Sequence, residues 1–123
     1  MRGLCVSVRV SFPGGHEQGH VAREGDMATY IELVSWTDQG VRNAKDTVSR
    51  AKAFEEAAGA VGVKVKSLFW TLGEYDLVIT VEAPDDEVVT RVNLMLAQLG
   101  NVRTKTLRAF NADEMTRITA GLK

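Results

Sequence analysis

The chain has 123 residues, 45% apolar and 25% charged, which is the composition of one ordinary globular domain and too short for a two-domain enzyme. Lys and Arg number 15 against 16 Asp and Glu, so the net charge is −1 and the basic footprint of a nucleic-acid binder is absent at the whole-chain level. One cysteine excludes an internal disulfide framework and a multi-thiolate metal site, and no apolar run reaches the roughly 18 to 20 residues that span a bilayer.

A composition break falls at Met27. The segment before it carries Pro13, Gly14, Gly15, Gly19 and Gly25, and its apolar run is interrupted by Ser7, Arg9 and Ser11, too short and polar for a signal-peptide core. Glu17, Glu24 and Asp26 argue against an organellar transit peptide. Residues 1–26 are therefore expected to be a non-domain extension, either a disordered tail or sequence upstream of a start at Met27. Glu24-Gly25 is encoded by a purine-rich run of the kind bacterial ribosomes use ahead of a start codon. With no signal core or membrane span, the expected setting is the cytoplasm of a bacterium.

Cys5, His16 and His20 all lie in that extension. The two histidines have i, i+4 spacing but sit among glycines without a helical period, a poor basis for a metal pair. Residues 27–123 contain neither His nor Cys, which excludes thiolate nucleophiles, imidazole bases and His-ligated haem or zinc from the domain. No metal and no cofactor is expected.

The domain begins with an alternating strand over 28–36, with Ile31 and Leu33 on one face and Tyr30, Glu32, Val34 and Trp36 on the other. Thr37-Asp38 supplies cap chemistry for a helix to about Ala60, its apolar stripe running through Val41, Ala44, Val48, Ala51, Phe54 and Ala58. A second strand over 63–71 alternates Val63, Val65 and Phe69 with Lys64, Lys66, Leu68 and Trp70. Leu72-Gly73-Glu74 then forms a short connection in which Gly73 suits positive φ. The third strand, 75–82, turns Leu77, Ile79 and Val81 inward and Asp76, Val78, Thr80 and Glu82 outward. Pro84-Asp85-Asp86 opens a second helix with acids at its positive end, and Gly100-Asn101 stops it. A fourth strand follows over 102–110. Asn111 with Glu114 reads as a capping box for a last helix, whose Met115, Ile118 and Leu122 are expected to tuck onto the body. The order β-α-β-β-α-β predicts a ferredoxin-like α+β domain over 27–123, an antiparallel sheet with helices on one face, plus the terminal helix.

On this alternation the solvent face would carry Tyr30, Val34, Trp36, Leu68, Trp70 and Val78. Two tryptophans on a wet face are costly, at about 25 cal/mol per Å² of apolar surface, so this patch is expected to be the interface of a two-fold homodimer.

Three segments resemble the GYD domain family. Gly73-Glu74-Tyr75-Asp76 is similar to its G-x-Y-D signature, with Glu74 at the variable position. Glu82-Ala83-Pro84-Asp85-Asp86 is similar to its E-A-P-D-D segment, and Gly100-Asn101-Val102-Arg103-Thr104 with Thr106 to its G-N-V-R-T-x-T segment. The resemblance covers about residues 27–119. It implies a dimeric α/β barrel in which two sheets pack face to face. It implies no activity and carries over no catalytic residue.

Candidate ligand-binding residues are Tyr75, Asp76, Arg103, Thr104 and Thr106. Tyr75 and Asp76 offer a hydrogen-bond donor and an acid/base group, or else simply pack and pair within the hairpin. The fourth strand has no clean apolar face. If Thr104 and Thr106 point at the helices, their buried hydroxyls need partners, and a cleft there suits a small polar-ended ligand that Arg103 would clamp; otherwise the strand is a polar edge. The leading function class is a homodimeric small-ligand-binding protein, and the alternative is a cofactor-independent isomerase or monooxygenase using Asp76, Tyr75 and Arg103. An RNA-recognition role is rejected, because the third strand reads Asp76-Leu77-Val78-Ile79-Thr80-Val81-Glu82, without the basic and aromatic residues it needs. The expected partners are thus a second copy of the chain and a small organic ligand, not nucleic acid or membrane.

Overall fold

In the computed structural model, residues 7–12 and 16–21 are described as backbone and residues 27–123 with their side chains. Strands β1 (Ser7–Phe12) and β2 (His16–Val21) pair antiparallel with each other as a two-stranded sheet separate from the main one. Cys5 lies outside the described residues, and His16 and His20 fall in β2, where only the backbone is described.

The domain contains β3 (Ala28–Trp36), α1 (Asp38–Arg42), a 3-10 turn (Ala44–Asp46), α2 (Thr47–Ala60), β4 (Lys64–Trp70), β5 (Leu77–Ala83), α3 (Asp86–Gln98), β6 (Val102–Ala109) and α4 (Ala112–Ala120). Its four strands form an antiparallel sheet in the order β4-β5-β3-β6, the arrangement of the ferredoxin-like plan. Local chemistry sets the ends. Thr37 accepts from the Gly40 amide at 3.1 Å to start α1, and Asp85 accepts from Val88 at 2.9 Å to start α3, with Asp86 and Glu87 at the positive end of its dipole. The capping box of α4 is complete: Asn111 Oδ1 accepts from the Glu114 amide at 2.8 Å, and Glu114 Oε1 from the Asn111 amide at 2.9 Å.

The helix expected over 38–60 is interrupted at Asn43, where ψ is 30°. Around the break the Gly40 and Asn43 carbonyls accept from amides three residues on, those of Asn43 at 3.2 Å and Asp46 at 3.0 Å, and each also accepts from Arg50, whose Nη1 donates to Asn43 O at 2.6 Å and Nη2 to Gly40 O at 3.3 Å. As a result Val41 and Val48 leave the expected stripe, and each is 52% exposed.

The face assignment of β3, and of β4 beyond Val65, is the reverse of the one the alternation suggested, while Val63 and Val65 face the core as expected. Across the sheet, Thr106, Glu32, Ile79 and Leu68 form one row and Thr104, Val34, Leu77 and Trp70 the next, all on the helix side. Tyr30 and Val34 are core residues at 3% and 2% exposure, and Trp36 and Leu68 pack against that core. Of the six residues expected on the solvent face, only Val78 is there. Two features misled the alternation. Glu32, a charged residue, is buried on the helix side, and a bulge between Val65 and Ser67 puts Leu68 and Trp70 in phase with Val65. The third-strand expectation holds: Leu77, Ile79 and Val81 are buried.

The terminal helix does not tuck in. Met115, Ile118 and Leu122 are all exposed, so α4 presents an uncovered apolar stripe. At the other end of the domain, α1 is clasped to the α3–β6 loop. Thr37 N donates to Asn101 O at 3.0 Å, Thr37 Oγ1 to Gly100 O at 2.5 Å, and Gln39 Nε2 to Leu99 O at 3.0 Å. Gly40 is buried here, and a Cβ on it would run into the Asn101 carbonyl.

Gly40→Ala is therefore expected to destabilise the protein by about 1–3 kcal/mol through overpacking. Gly59→Ala, at a helical position with open space around it, is expected to stabilise by up to about 1 kcal/mol. Urea unfolding of both variants against the parent checks the pair.

Candidate functional site

Three features of the domain bear on function: a polar line that runs from the buried Glu32 to α3, a cavity between the helices and the sheet, and the sheet face opposite the helices.

The polar line begins at Glu32, 2% exposed and flanked by Tyr30 and Val34 on the same face of β3. Its Oε1 accepts from Thr106 Oγ1 at 2.7 Å, and that hydroxyl accepts from Asn93 Nδ2 of α3 at 2.7 Å. Oε2 has no hydrogen-bond partner among the described residues. Burial pushes the Glu32 carboxyl above the ordinary glutamate range, and the hydrogen bond from Thr106 with the nearby Asn93 amide offsets only part of that. Further along β3, Tyr30 donates to Asp86 Oδ1 at 2.5 Å, and burial followed by that bond raises its phenol. Arg108 stacks 4.5 Å from the Phe110 ring centroid and pairs with Glu114 at 3.6 Å. The Glu114 carboxyl is held below its usual range, first by the Asn111 amide and then by charges including Arg108.

The cavity holds about 450 Å³ between α2, α3 and the sheet. Its body is apolar, with Phe54, Leu68, Leu77, Ile79, Val92 and Leu96 in the wall. It exists because α2 turns small side chains inward: Ala51, Ala57 and Ala58 leave volume that leucines would fill. The polar wall residues Thr47 and Arg50 come from the start of α2, Gln98 from the end of α3 and Asn101 from the loop before β6.

On the opposite sheet face, Lys105, Leu33, Val78 and Phe69 form a row across all four strands, with Leu107 and Ile31 beside it. Phe69 is 63% exposed and Leu107 47%, while Ile31, Leu33 and Val78 are half-buried. Exposed apolar rows of this kind are uncommon on the surfaces of single chains.

The sequence candidates do not converge on one site. Asp76 is tied into the sheet: its Oδ2 accepts from the Trp36 amide at 2.8 Å, and its own amide donates to Val34 O at 2.8 Å. Tyr75 lies beneath Lys105, whose Nζ is 5.6 Å from the ring centroid. Thr104 and Thr106 are on the helix side of β6, Thr104 half-buried and Thr106 exposed, neither in the cavity wall, and Arg103 alternates to the other face and is exposed. Sequence reasoning missed Glu32. The available signal was that inward hydroxyls on β6 demand an inward partner on β3, and Glu32 is the residue opposite Thr106. Among the described residues no group of three His, Cys, Asp or Glu side chains is placed to hold a metal ion, and no helix is long and apolar enough to cross a membrane.

The sequence pattern of the GYD domain matches residues 30–119. A Thermus thermophilus protein named glutamine synthetase and cystathionine beta-lyase binding protein is 38% identical over 94 residues, covering 75% of this chain and 99% of the relative. No solved structure matches the chain.

The buried carboxyl generates a pH dependence. Because burial raises the folded-state pKa of Glu32 above its unfolded value, the folded protein holds a proton that the unfolded chain releases. Its contribution is full below the ordinary glutamate pKa and declines as pH rises toward the raised one. Relative to Glu32→Gln, the parent is expected to lose stability with rising pH, by at most about 1.4 kcal/mol per pH unit within that window. Urea midpoints for both proteins between pH 4 and pH 8 measure it. Parallel curves would overturn the assignment.

Proposed function

The chain belongs to the GYD domain family, and from that premise we propose that it is a homodimeric binding protein, not an enzyme, whose role is to dock on other proteins. The observation that carries this reading is the open sheet face, with Phe69 at 63% exposure on edge strand β4, at the end of an apolar row that runs through Val78 and Leu33. Stacking two such faces about a two-fold axis would remove Phe69, Leu33, Val78 and Leu107 from water. The uncovered stripe of α4 gives the pair a second apolar surface to bury or to offer to a partner. The name of the Thermus relative supports the docking role, since that protein is named for binding two enzymes. Glutamine synthetase and cystathionine beta-lyase are accordingly the first partners to try. We assign the binding domain to residues 27–123 and treat residues 1–26 as an extension outside it.

A cofactor-independent isomerase or monooxygenase built on Tyr75, Asp76 and Arg103 has less support. The Asp76 carboxylate is engaged by the Trp36 amide, and Arg103 is on the face opposite Thr104 and Thr106.

Sedimentation equilibrium on the full chain is expected to return a dimer mass. Phe69→Glu with Leu107→Glu, both exposed in the single chain, should weaken the dimer by roughly 100-fold or more, because it removes two large apolar side chains and puts two unpaired carboxylates into the seam. A monomer at high micromolar concentration, or a double variant that dimerises as tightly as the parent, would overturn the pairing. Binding of the purified dimer to immobilised glutamine synthetase or cystathionine beta-lyase then tests the docking role, which fails if neither enzyme retains it.

A further inference from the structure

We propose that the cavity between α2, α3 and the sheet is a binding site for a small monocarboxylic acid with an apolar body, aliphatic or aromatic. This site is independent of the sheet-face pairing.

Volume and lining define the body of the ligand. A space of about 450 Å³ is within the range of pockets that enclose small organic molecules, and Phe54, Leu68, Leu77, Ile79, Val92 and Leu96 offer it apolar contact. Water gains little in such a space, because the body of the cavity lacks the several polar partners an ordered water needs.

Charge defines the head. Arg50 is the charged residue in the cavity wall, and it makes no ion pair among the described residues. Its guanidinium is half-buried and held in place by the Asn43 and Gly40 carbonyls, which use two of its five N–H donors. Arg50 lines the wall one turn after Thr47, and the Gly40 it bonds packs against the Asn101 carbonyl, so these three wall residues gather at one end of the cavity with three N–H donors of the guanidinium not used by those carbonyls. A fixed guanidinium with free donors is matched by a carboxylate, which accepts two parallel bonds from it. A neutral ligand leaves that charge unanswered. The helix break at Asn43 bears on this site too: the Gly40 and Asn43 carbonyls there accept from Arg50 as well as from backbone amides, and so hold the cation beside the cavity.

Trp36 is in the cavity wall, and its emission reports occupancy. Titrating the full chain with decanoate is expected to change tryptophan fluorescence saturably and to raise the melting temperature, with decanol binding at least 10-fold more weakly. Arg50→Gln should weaken decanoate by 10-fold or more while leaving decanol unchanged, and retained decanol binding shows that this variant is folded and its cavity intact. Ala51→Phe, which places a ring in the cavity from α2, should abolish both. The proposal is overturned if neither compound binds the parent, if decanol binds as tightly as decanoate, or if Ala51→Phe binds both like the parent. It is also overturned if decanoate lowers the sedimentation mass, because the cavity would then be filled by a second copy of the chain. Since the dimer mass without ligand is measured separately, failure of this site and failure of the sheet-face pairing read out differently.

Discussion

The main-chain amide and the side-chain carboxylate of Asp76 hold the start of β5 against the end of β3. The amide donates to Val34 O and the carboxylate accepts from the Trp36 amide, so the ladder continues one step past the point where regular pairing stops. This matters because strand register is binary in its effect: a slip of one residue sends every side chain to the other face. With the register held, Leu77, Ile79 and Val81 stand beside Val34, Glu32 and Tyr30 under the helices, and the open face receives Leu33 and Val78. The Asp of the family signature thus acts on which face of the sheet is core, and does so from a hairpin whose Gly73 takes φ 125°.

A second signature segment has a similar structural reading. Gly100 and Asn101 offer carbonyls to Thr37, and Leu99 offers one to Gln39, which locks the first helical turn to the end of α3. The contact is close enough that position 40 accommodates only a hydrogen. From there the helix breaks at Asn43, Arg50 ties back to the Gly40 and Asn43 carbonyls, and α2 starts afresh with alanines in the cavity wall. Arg50 thereby joins α2 to the clasped end of α1.

Elements were legible from local pattern. The strand at 28–36, the cap and acids opening α3, the Gly73 connection and the Asn111–Glu114 box are short-range features, readable because each depends on residues within a turn of one another. The strand order follows from the helix and hairpin sequence, since few topologies accept it. The family was legible for a related reason, because its motifs sit at turns where backbone geometry restricts residue choice.

What the sequence determined by itself is therefore the class of fold, the order of its strands and helices and the absence of His and Cys from residues 27–123. Tertiary structure alone decided which face of each strand is inside. Alternation has no sign, and a buried charge reverses the usual inference: Glu32 is inside because Thr106, contributed by a strand more than 70 positions later in the chain, donates to it. The bulge after Val65 adds a second reversal, and the uncovered α4 a third, since an amphipathic pattern states that a helix wants a partner without saying where that partner is. Cavities share this property. The alanines of α2 are plain in the sequence, but an unfilled volume is a property of several elements packed at once.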